Sequence, residues 1–113
     1  MIQLQPVGMR QRLPELICLR VTGTGTAAIS FGSKHATLVD NGTGDYTLTL
    51  VKPGKQIIQV VGCVSLTATT YAEIGAATTA STVRVLTKAT SNNAATDAVF
   101  HLTLLVFRSA TEY

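Results

Sequence analysis

Tryptophan is absent from this chain, histidine and cysteine occur twice each, and charged side chains make up only 13% of it. Each shortage removes a class of function. A nucleophilic site needs a base beside the nucleophile and an acid to orient that base. His35 and His101 are the only imidazoles. His101 falls in the middle of an expected strand, a structural or interfacial position, and His35 follows a turn with no partner residues near it in sequence. The chain shows no paired acids of the glycosidase kind. No catalytic residue is assigned and no enzyme activity is expected.

Cysteine is equally sparse in meaning. Cys18 and Cys63 lie far apart, form no CxxC and have no neighbouring histidine, so no metal or cofactor site is expected. The strand phases set out below point both away from the faces carrying the larger apolar residues. The expectation is two free thiols in a reducing compartment rather than a disulfide. No apolar run reaches membrane-spanning length, and Met1 to Pro14 is polar and broken by prolines, so neither a membrane partner nor a signal peptide is expected.

Long runs of one charge are missing too. The net charge is +3, and no two lysines or arginines are adjacent. Arg10, Arg12 and Arg20 cluster loosely near the start. A nucleic-acid reader would present a denser basic face interleaved with aromatics, and three tyrosines and three phenylalanines are all the aromatics available. That argues against a nucleic-acid partner and for contact with an acidic protein surface. A neutral exterior also suits a subunit partly covered by neighbours.

What is present is β-pattern. The 113 residues suffice for one domain with its own core. Met1 to Pro14 reads as an extended arm, since Pro6, Gly8 and Pro14 deny it any regular period. The remainder, 15–113, reads as a single β-sandwich or jelly roll of about seven strands. The organising stretch is Asp40 to Gln59, in which Tyr46, Leu48 and Leu50 alternate with Asp45, Thr47 and Thr49 between two turns; alternate side chains on a strand face opposite ways, so the first set belongs to a core.

Earlier, Ile17, Leu19 and Val21 share one face of a strand, and Ala27, Ile29 and Phe31 share a face of the next. A short third strand, His35 to Val39, leads into the glycine-rich turn. Later, Ile58, Val60, Val64, Leu66 and Ala68 share a parity, with Gly62 marking a bulge or bend. Tyr71 to Ser81 shows no period and reads as a loop, with a helical turn at Tyr71 to Ile74. Val83, Val85 and Thr87 mark a sixth strand. The last strand, Ala98 to Arg108, is apolar on both faces, with Phe100, Leu102, Leu104 and Val106 against Val99, His101, Thr103, Leu105 and Phe107. Such a strand needs cover on both sides, and so small a domain has little left to cover the second, so that face is expected at a subunit interface.

Asp40 to Asp45 has the oxygen ligands of a calcium loop but matches no EF-hand spacing. Asx and glycine residues are what a β-turn requires, and the turn reading is preferred. Gly23 and Gly25 lack the lysine and the strand-to-helix setting of a phosphate loop. Asn41-Gly42-Thr43 fits a glycosylation sequon without a secretory context.

Two segments together carry a family resemblance. GTGDYTLTL, Gly42 to Leu50, followed by VRVLTKATSNNAATDAVFHLTLLVF, Val83 to Phe107, resembles small virion proteins of tailed bacteriophages, in which a GTG-x-Y-T-x-T strand precedes a VxVxT strand, an Asn/Ala/Thr-Asp turn and a closing apolar strand. The likeness covers residues 22 to 108. It implies a β-sandwich module that decorates or cements the outer surface of a capsid, with the major capsid protein as partner and self-association as a dimer or trimer. The alternative is a tail-fibre or receptor-binding head. The interface residues expected from the residue pattern are Arg10, Arg12, Arg20, His101, Leu105 and Phe107.

Overall fold

The computed structural model describes residues 14–51, 55–76 and 78–108. Eight strands follow in order: β1 (Glu15–Thr22), β2 (Ala28–Phe31), β3 (Ala36–Gly42), β4 (Asp45–Leu50), β5 (Lys55–Ser65), β6 (Thr70–Ile74), β7 (Thr82–Ala89) and β8 (Val99–Arg108). They form two four-stranded antiparallel sheets. Sheet I runs β2-β1-β8-β5 and sheet II runs β3-β4-β7-β6. This is a β-sandwich. The arm expected over 1–14 lies outside the described residues except for Pro14, which is exposed just before β1.

The alternation in the sequence builds the core. The two central strands of each sheet turn their odd or even apolar set inward: Ile17, Leu19 and Val21 of β1 with Phe100, Leu102, Leu104 and Val106 of β8, against Tyr46, Leu48 and Leu50 of β4 with Val83 and Val85 of β7. All are at most 9% exposed. Each buried side chain of this size contributes roughly 1.5–3 kcal/mol relative to exposure, so these four strands hold the sheets together. The ring of Tyr46 tilts against Phe100 across the sandwich, with centroids 5.3 Å apart.

A polar clasp closes one end. The Tyr46 hydroxyl donates to Asp97 Oδ1 at 2.9 Å, and the Gly44 N–H donates to the same oxygen at 2.8 Å. Buried Thr87 completes it: its N–H reaches the Gly44 carbonyl, and its hydroxyl and carbonyl both engage Thr96. The β3–β4 turn is thereby tied to the segment entering β8.

Three departures from strict alternation matter. The pairing of β1 with β2 skips a residue, because Arg20 faces Phe31 while Val21 faces Ile29. Ser30 is the extra residue of this bulge, and Phe31, expected beside Ile29 on the core face, turns outward instead and is 62% exposed. In β5 the register shifts twice, between Ile57 and Gln59 and between Val60 and Gly62. Inward positions therefore recur every third residue, Ile57 opposite Val106, Val60 opposite Leu104 and Cys63 opposite Leu102. Cys63 packs against the core and Val64 faces out, the reverse of the expected phase. Finally, Tyr71–Ile74, expected in a loop with a helical turn, belongs to edge strand β6, paired with β7. Its inward contribution is small Ala72, so it leaves little hydrophobic trace.

Candidate interaction surface

The two outer faces of the sandwich differ in kind. On sheet II the outward residues of β3, β4 and β7 are largely threonines and charges, interrupted by exposed Val39 and half-buried Leu86. The charges there are neutralised locally. Arg84 makes a two-pronged contact with Asp45, Nε to Oδ1 at 3.0 Å and Nη2 to Oδ2 at 2.7 Å, and Lys88 pairs with Glu73. The Arg84 guanidinium holds the Asp45 carboxyl below its ordinary value, with Asn41 adding to the effect. Asn41 also donates to Thr47 at 2.7 Å, and Asp40 caps the turn through the Gly42 N–H. The oxygens that suggested a calcium loop are thus occupied in building the turn, where Gly42 and Gly44 both have positive φ. The charges of this face need no outside partner.

Sheet I presents the opposite. Because β1 and β8 pair without a shift, Leu16 lies beside Leu105, Cys18 beside Thr103 and Arg20 beside His101. Phe31 joins them from β2 and Val64 from β5, where it pairs with His101. Leu16, Phe31 and Val64 are each more than half exposed, while His101, Leu105 and Phe107 are half-buried among their neighbours. No described segment covers this face.

Two open cavities flank the Phe31 ring. One, of about 570 Å³, is lined by Leu16, Cys18, Phe31, Lys34 and His35 among others. The other, of about 460 Å³, is lined by Cys18, Arg20, Ser30, Phe31 and His101. Each combines one permanent cation, one imidazole and the shared phenylalanine. No carboxylate lines either, and among the described residues neither Arg20 nor Lys34 has a carboxylate partner.

Of the residues expected at an interface, Arg20, His101, Leu105 and Phe107 come together on this one face. Arg10 and Arg12 lie outside the described residues. Leu16, Phe31, Lys34 and Val64 were not anticipated. Leu16 had a signal, an apolar residue on the polar parity of β1. Phe31 and Val64 had none, since bulges reversed their apparent faces.

Both cysteines are free. Cys18 is exposed at the centre of the face, whereas burial pushes the Cys63 thiol up to about 11. Among the described residues no group of three His, Cys, Asp or Glu side chains is placed to hold a metal ion, and no helix is long and apolar enough to cross a membrane. Comparison of the chain with family models, with curated proteins and with solved structures finds no match.

Proposed function

We propose that this chain is a structural virion protein that decorates or cements the outer surface of a phage capsid, seated through the outer face of sheet I. The observation that carries this reading is the contrast between the two outer faces. One is threonine-rich with its charges paired, and the other exposes Leu16, Phe31 and Val64 around a half-buried Leu105. An apolar face of this kind on a small domain marks a contact with another protein. The resemblance of Gly42 to Leu50 and Val83 to Phe107 to small phage virion proteins supports the major capsid protein as that partner.

In this role the rigid sandwich is the body and sheet I the adhesive. The face turned away has its charges paired within the domain. Attachment in many copies converts a modest single contact into firm retention, and self-association as a dimer or trimer would strengthen it further.

Quantitative mass spectrometry of purified virions tests this directly. A copy number comparable to that of the major capsid protein is expected. A handful of copies per particle would move the chain to the tail, in keeping with a fibre head, and absence from particles would overturn the reading.

A further inference from the structure

The sheet I face is apolar, but its β2 side also carries two basic side chains and no acid, and that combination restricts what can sit there. Arg20 and Lys34 stand on either side of Phe31, one in each cavity, with His101 and His35 beside them and no acid within either lining. On sheet II the same residue types are neutralised in place, Arg84 by Asp45 and Lys88 by Glu73. The difference lies in pairing rather than in composition.

A second copy of the same face is a poor occupant for this side. It would bring Leu16, Phe31 and Val64 together, but each copy would also cover an Arg20 for which the cavity linings of the other supply no carboxylate. Covering an unpaired cation is unfavourable and offsets much of the apolar gain. A nucleic-acid strand is a poor fit as well, because two cations around one aromatic do not make a track for successive phosphates, and Leu16, Leu105 and Val64 would be left in water.

We infer that the two cavities flanking Phe31 form an anchor for an acidic, apolar segment of another protein chain, its carboxylates meeting Arg20 and Lys34 and its apolar side chains lying over Phe31 and Leu16. This rests on the reading of sheet I as a protein-docking face and adds the chemistry of the partner. Arg20 is suited to grip a carboxylate with two parallel hydrogen bonds, while Lys34 acts as a point charge. The neighbouring Leu16–Leu105 pair continues the apolar track along β1 and β8.

Cys18 provides the readout, since it is exposed and lines both cavities while Cys63 is packed against the core. The probes are a synthetic nonapeptide alternating aspartate with leucine, its lysine–leucine counterpart, and single-stranded oligothymidylate. Alkylation of Cys18 by iodoacetamide is timed with each. The aspartate peptide is expected to slow Cys18 at least fivefold at saturation, less as salt rises, with the lysine peptide leaving the rate unchanged. In the double variant Arg20→Glu, Lys34→Glu the preference should reverse. Both side chains are exposed, and a circular dichroism melt confirms that the variant folds.

Equal protection by both peptides, protection by neither, or protection untouched by the charge reversal would overturn the inference. So would stronger protection by the oligonucleotide, which would make the cavities a nucleic-acid contact. Occupancy of the double variant on particles separates this test from that of the function. Wild-type occupancy by the variant would sink the anchor and leave the capsid reading standing. Absence of the wild-type chain from particles, with peptide binding intact, would sink the capsid reading and leave the anchor.

Discussion

The Tyr46 hydroxyl and the Asp97 carboxylate, 51 residues apart in sequence, meet at 2.9 Å. Their bond joins a core strand of sheet II to the segment that enters the central strand of sheet I. Asp97 also receives the Gly44 N–H, so one carboxylate fixes a strand and the turn preceding it. Changing Tyr46→Phe keeps the ring against Phe100 and removes this bond. A loss of about 1–3 kcal/mol is expected in urea denaturation, the usual cost when a buried hydrogen bond to a charged group is broken.

The same pair sets an alkaline limit. Burial first, and then Asp97, pushes the Tyr46 hydroxyl from its ordinary value of 10.0 up to about 12. The folded state holds the phenol neutral where the unfolded state would ionise it. The resulting stability is intact below pH 10 and falls as pH rises from there toward 12. Denaturation midpoints measured between pH 9 and 12 should decline in the wild type, and the decline should be shallower in the Tyr46→Phe variant.

Two glycines with nearly the same backbone angle should respond very differently to alanine. Gly25 has φ +70 and Gly44 has φ +65. A Cβ at Gly25 meets nothing within 4 Å, whereas at Gly44 it falls 2.4 Å from the Thr87 carbonyl oxygen and 2.8 Å from the Thr96 nitrogen. Gly25→Ala is expected to cost about 1 kcal/mol, the left-handed backbone alone. Gly44→Ala carries the same strain and a collision with backbone inside the clasp, for a loss of roughly 3 kcal/mol or more. Equal losses in thermal or chemical denaturation would mean that space around Gly44 does not matter.

At acid pH the outer face of sheet II should yield a small, assignable loss. Arg84 holds the Asp45 carboxyl below its ordinary 3.8, so the contribution of the pair is complete above that value and disappears as pH falls through the lower folded one. Arg84→Met should remove this part of the acid dependence. Because the pair is open to solvent, the effect at neutral pH is expected to be small.

The sequence disclosed the elements whose alternation is unbroken. Tyr46, Leu48 and Leu50, Ile17, Leu19 and Val21, and the inward set of β8 occupy the core faces their parity indicates, and the two-sided apolarity of β8 marked the exposed face of sheet I. Phe31, Cys63 and Val64 were misplaced for one physical reason. A bulge adds a residue on one strand only, and the partner that reveals the skip, Arg20 for Phe31 and Leu102 for Cys63, lies on another strand. Strand β6 was hidden because an edge strand beside a filled core needs only Ala72 inward. The pairing of charges on one face and their lack of partners on the other arises from strands brought together in space, so Arg20 and Lys34 looked no different in sequence from Arg84 and Lys88.

Replacement of Leu16 by Asp separates docking from folding. Leu16 is 63% exposed on the outer face, so its loss should change unfolding free energy by no more than about 0.5 kcal/mol. If the chain is seated on capsids as proposed, retention on virions should fall at least tenfold. A collapse of the fold in this variant would mean that the outer face of sheet I is closed within the domain itself.

The paired shifts of β5 bear on a hazard that faces any sheet protein made in quantity. A long, straight outer strand offers its free backbone groups to the next molecule and can seed endless strand-to-strand stacking. The outermost strand of sheet I is eleven residues long, yet it is kinked twice, and the Ala80 carbonyl already accepts from the Ile57 N–H on its flank at 2.7 Å. Such a border is a poor template for a flat ladder. On this edge the backbone is a poor site for strand addition, which leaves the broad outer face, with its side chains, as the better contact surface of sheet I.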